Sequence, residues 1–79
     1  MSGLPVKLVF PEDLVKKPML GLLARDHGVL ANIRRASVDE NAGWIVCELE
    51  GDPHEVERGL AWLREQGVEV ELLGDVVEG

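Results

Sequence analysis

One cysteine, two tryptophans, one phenylalanine and no tyrosine among 79 residues leave this chain poor in the side chains that staple, ligate or stack. Cys47 alone excludes an intrachain disulfide and falls short of a zinc or iron–sulfur site, each of which takes about four ligands. Basic residues are scarce too. Eight Lys and Arg stand against fifteen Asp and Glu, and a formal charge of −7 repels phosphate backbones and anionic lipid. RNA-binding sheets stack bases on aromatics within a basic surround, and an acidic chain with so few aromatics offers neither. Nucleic acid and membrane insertion are therefore set aside. No apolar run approaches the roughly 20 residues that span a bilayer, and Met1-Ser-Gly-Leu-Pro5 has no basic-then-apolar leader pattern, so a cytoplasmic location is expected. Phosphate-cradling loops and Ser/His/Asp spacings are missing as well, so neither enzyme activity nor a cofactor is expected.

What is present is a regular succession of elements. Val6, Leu8 and Phe10 alternate with Lys7 and Val9, the period-2 pattern of a strand, which Pro11 ends. A charged linker, Glu12 to Lys17, leads to Pro18, whose fixed backbone angle suits the first turn of a helix. Leu20, Leu23, Ala24 and His27 follow at helical spacing, and Gly28 is a left-handed stop. A second strand runs from Val29 to about Val38, with Val29, Ala31 and Ile33 on one face and Leu30, Asn32 and Arg34 on the other. Arg35, Ala36 and Ser37 break the alternation and suggest a bulge or an edge position.

The Asp39-Glu-Asn-Ala-Gly43 turn reverses the chain into Trp44 to Glu50, with Ile45, Cys47 and Leu49 inward. Asp52-Pro-His-Glu55 is a capping-box start for a second helix whose buried stripe is Val56, Leu60 and Leu63. Gly67 stops it. Val68, Val70 and Leu72 then alternate with Glu69 and Glu71 in the last strand.

Two βαβ halves with right-handed crossovers make an α+β, ferredoxin-like βαββαβ domain: a four-stranded antiparallel sheet, order 4-1-3-2, with two helices on one face. Residues 1–79 form a single domain with its core at about 4–73 and a short acidic tail at 74–79. The uncovered face then shows Lys7, Val9, Asn32, Arg34, Trp44, Val46, Glu69 and Glu71. Trp44 with Val9 and Val46 makes an apolar patch there, the kind of surface that marks an interface or a ligand site.

Asn32 is the odd residue, because a lone Asn seldom improves an apolar strand. Its bland reading is a polar group satisfying an edge-strand turn or bulge. Cys47, mid-strand among aliphatics, reads as a buried inert thiol. His27 and His54 lie at helix ends with no convincing catalytic or metal partner.

Phe10-Pro11, Pro18-Met-Leu20, Asn32-Ile33, Gly43 and Leu60-Ala-Trp-Leu-Arg-Glu-Gln-Gly-Val-Glu-Val70 together resemble the NIL domain, from about Leu4 to Leu73. That family resembles ACT domains in fold. Some members close methionine-importer ATPases, where they bind methionine and inhibit transport, and others are fused to iron–sulfur ferredoxin modules. The resemblance implies ligand roles for Asn32 and Ile33, the namesake positions. An Asn amide can pair with both an amine and a carboxylate. Arg34 departs from the usual Leu; it can grip a carboxylate bidentately or spoil an apolar wall that held a thioether.

The expectation is a non-enzymatic regulatory domain sensing methionine or a related amino acid at a homodimer interface. Asn32, Ile33, Arg34, Trp44, Val46 and Val9 would line its site. The alternative is an interaction module that binds no metabolite and docks on a separately encoded transporter ATPase, ferredoxin or sulfur-metabolism enzyme, its acidic surface suiting a basic partner.

Overall fold

In the computed structural model of the chain, residues 3–39 and 41–74 are described. Strand β1 (Leu4–Phe10) buries Val6, Leu8 and Phe10, every second residue, as its alternation requires. Beyond Pro11 the expected charged linker contains a short helix, α1 (Glu12–Val15), which drives Leu14 into the core. Helix α2 (Met19–His27) starts after Pro18, buries Met19 and Leu23, and ends on Gly28 at φ 66°, a left-handed angle that costs glycine nothing.

Strands β2 (Leu30–Val38) and β3 (Gly43–Glu50) form a hairpin. Its turn is held by the Asp39 carboxylate, which accepts from the backbone N–H groups of Asn41 at 2.8 Å and Ala42 at 2.9 Å. Those two amides hold the Asp39 carboxyl below its ordinary range. Gly43 sits close to the turn: a Cβ there would lie 3.3 Å from Val38 Cγ2 and 3.4 Å from the Ser37 carbonyl oxygen, a tight fit.

Helix α3 (Pro53–Gln66) opens on Asp52, whose carboxylate accepts from the His54 and Glu55 amides at 3.0 and 3.3 Å, satisfying two donors that a helix start leaves free. It ends on Gly67 at φ 104° and feeds β4 (Glu69–Leu72). The antiparallel sheet has the order β2-β3-β1-β4, the expected order read from its other edge.

The core joins Val6, Leu8 and Phe10 of β1 and Cys47 and Leu49 of β3 to Leu23 of α2 and Val56, Leu60 and Leu63 of α3, so the helices share one face. Helices α2 and α3 approach closely at Gly59, where an added Cβ would stand 2.7 Å from Leu23 Cδ1. The expected inward faces hold, with burial incomplete at two positions. Leu72 pairs with Val6 and so sides with the core, yet it is 56% exposed at the end of an edge strand. Ile45, an inward residue of an interior strand, is only half-buried. The expected acidic tail beyond Gly74 lies outside the described residues.

Candidate functional site

The unusual element is β2. Among the described residues it hydrogen-bonds to β3 alone, so one side of its backbone is a sheet edge. Pairing runs Leu30 to Glu50, Asn32 to Glu48 and Ile33 to Cys47, then slips one residue, so that Arg35 faces Val46 and Arg34 is the bulge. Such an extra residue bends and twists the strand. Along this edge Leu30, on the uncovered face, and Ile33 and Val38, on the helix side, are 62, 51 and 62% exposed, apolar surface that a solitary edge strand usually avoids.

Two hollows flank α2. The wider, a groove of about 580 Å³, runs between α2 and the start of β2 and is lined by Leu20, Gly21, Ala24, Leu30, Ala31, Asn32, Ile33 and Glu50. By strand register Asn32 and Glu50 are diagonal neighbours on the sheet face away from the helices, roughly 7 Å apart. Ala31 and Ile33 side with the helices, opposite Leu49 and Cys47, so the groove wraps the strand edge. It offers an amide, a carboxylate and apolar wall together. The narrower hollow, about 220 Å³, lies under the start of α2, where Phe10, Leu14, Met19, Val38 and Ile45 meet.

The uncovered sheet face is otherwise occupied by its own contacts. Arg34 Nη2 donates to Glu48 Oε2 at 2.8 Å, and the Lys7 ammonium sits 5.2 Å from the centre of the Trp44 ring. Among the described residues, no cluster of three or more His, Cys, Asp or Glu could hold a metal ion, and no helix is long and apolar enough to cross a membrane. Burial pushes the Cys47 thiol up to about 11, which leaves it a poor nucleophile. His27 Nδ1 lies 3.7 Å from Glu55 Oε1 and its ring 5.8 Å from that of Trp62, a contact that ties the end of α2 to α3.

The NIL domain family model matches residues 5–72, nearly the whole chain. The chain belongs to the NIL domain family. Its relatives include the methionine import ATP-binding protein MetN of Chromohalobacter salexigens, 36% identical over 75 residues, which cover 90% of this chain and 22% of that protein. MetN of Escherichia coli is 33% identical over 75 residues, again 90% of this chain and 22% of the relative. The NIL domain thus spans less than a quarter of these relatives' length. The fold is also that of the C-terminal domain of an ABC transporter ATP-binding protein from Enterococcus faecalis, with a TM-score of 0.79 at 23% identity, covering 92% of this chain and 86% of that one.

In this NIL domain Asn32 and Ile33 stand together in the α2–β2 groove, whereas Val9, Trp44 and Val46 lie farther along the sheet on β1 and β3. Arg34 reaches the sheet face through its bond to Glu48. Sequence reading missed the other wall of the groove, Leu20, Gly21 and Ala24, and the carboxylate of Glu50. One signal was available: a glycine inside a nine-residue helix is costly unless something must come close.

Proposed function

We propose that this NIL domain is a non-enzymatic cytoplasmic regulatory module that holds an amino acid, methionine or a relative, in the α2–β2 groove, closed by a second copy pairing along β2. The observation that carries this reading is the placement of Asn32 beside Glu50 in a groove otherwise lined by apolar residues and small helix residues. A zwitterion needs an acceptor for its ammonium and a donor for its carboxylate, which Glu50 and the Asn32 amide supply. Leu20, Leu30 and Ile33 would take a thioether or alkyl chain. The names of the relatives, methionine import ATP-binding proteins, point to the same ligand class.

The test is calorimetric titration of the full chain with methionine, homocysteine and norleucine, repeated on Asn32→Ala. Losing the amide's hydrogen bond to the ligand carboxylate should weaken binding about tenfold, with the melting temperature of the free protein little changed. Equal affinity in a variant that melts like the parent would remove Asn32 from the site.

A second reading is a docking module: the relatives are ATP-binding proteins of a methionine importer, and on this reading the domain acts by contacting a transporter ATPase. On that reading no amino acid raises the melting temperature, and the acidic surface mediates docking.

A further inference from the structure

We infer that the hollow beneath the first turn of α2 is a second binding site, for a small apolar monocarboxylate, and this goes beyond the amino-acid reading of the Asn32 groove. The sheet and helices leave a gap there that the chain's own side chains do not fill. Ile45 belongs to an interior strand and faces the helices opposite the fully buried Leu8, yet it stays half-buried. The position paired with Phe10 is Gly43, and the helix position overhead is Gly21, where an added Cβ would meet nothing within 4 Å. With no side chain at Gly21 to fill it, about 220 Å³ stays open against buried Phe10, Leu14 and Met19, with exposed Val38 at the side.

The lining decides what fits. Among the described residues, every one around the hollow apart from Lys17 is apolar or glycine, and none is a carboxylate. Lys17 offers a cation to an anionic head, while an ammonium brought to the same place would lose water and gain no acceptor. Zwitterions are thus disfavoured where the Asn32 groove, with Glu50, favours them. The volume falls below the roughly 300 Å³ at which pockets for drug-sized ligands begin, so the occupant is a short chain of about five or six carbons ending in a carboxylate. A short fatty acid or a 2-oxo acid with an alkyl side chain has this chemistry.

The experiment titrates the isotope-labelled full chain with hexanoate, hexylammonium and norleucine while following backbone amide resonances. Hexanoate should saturably shift Phe10, Leu14 and Ile45 and leave Ala31, Asn32 and Glu50 in place; hexylammonium should do neither. Ile45→Phe, which fills the hollow, should abolish the effect. Lys17→Gln, at an exposed position, should weaken hexanoate by up to about fivefold. If Ile45→Phe fails to fold, Val38→Phe at the exposed wall replaces it. Hexanoate acting at Asn32, shifting nothing, or binding no better than hexylammonium overturns the proposal. Failure of norleucine at Asn32 with hexanoate still saturating Ile45 counts against the amino-acid reading alone.

Discussion

Cys47 has no exposed surface and a thiol pushed from 9.0 up to about 11 by burial. Because the folded state holds this proton more tightly than the unfolded chain, its contribution to stability is full below pH 9 and falls as pH rises from 9 through about 11. Urea unfolding at pH 8 and at pH 10.5 should therefore show the parent losing more stability than Cys47→Val over that interval, and a thiol reagent at pH 8 should label Cys47 only after unfolding. Two helical glycines make an opposed pair. Gly21→Ala adds a methyl group to open space and gains helix propensity, so it should stabilise by about 1 kcal/mol, raising Tm by roughly 4–8 °C. Gly59→Ala gains the same propensity but drives its Cβ to within 2.7 Å of Leu23 Cδ1, on a side chain with no exposed surface. Overpacking costs about 1–3 kcal/mol, so thermal melts should show no gain, or a net loss of up to about 2 kcal/mol.

Elements were legible in the sequence wherever one local rule decides them. Alternation marked β1 and β3, the left-handed glycines Gly28 and Gly67 ended α2 and α3, and Asp52 capped α3. The broken alternation after Arg34 appears as both a bulge and an edge strand. Helix α1 was not legible, because four residues complete barely one turn and carry no period. Leu72 follows the strand pattern and is nonetheless exposed, since alternation reports which face a residue takes and says nothing of what covers it. The same distinction explains the site. A resemblance singled out Asn32 and Ile33, but Leu20, Gly21, Ala24 and Glu50 join them only through the way α2 lies over the sheet, a long-range packing fact with no local signature. Val9, Trp44 and Val46 were placed correctly on the uncovered face by their alternation, and pairing of Val9 with Trp44 and Lys7 with Val46 confirms that face without bringing them to the groove.

For the molecule as a whole, small size and the β2 edge lead to one expectation. A chain of 79 residues buries a modest share of its surface, and leaving Leu30, Ile33 and Val38 exposed along an edge gives up apolar burial that a second strand could recover. Two β2 edges pairing antiparallel about a two-fold axis would satisfy both the edge backbone groups and this apolar surface, and each copy would then border the other's groove. Of the two arginines on this edge, Arg34 is engaged with Glu48 of its own chain, while Arg35 is exposed and adds repulsion between the paired edges. Against association stands a charge of −7 on each copy, a repulsion that salt screens. The domain should therefore sediment as a dimer at tens of micromolar, become tighter as ionic strength rises, and melt at a temperature that increases with protein concentration. Ile33→Lys replaces a 51% exposed edge residue, opposite buried Cys47, with a charge; it should give a folded monomer whose melting temperature ignores concentration. A parent that sediments as a monomer at high salt and melts independently of concentration would rule out pairing through β2 and leave the groove to be closed by a different protein.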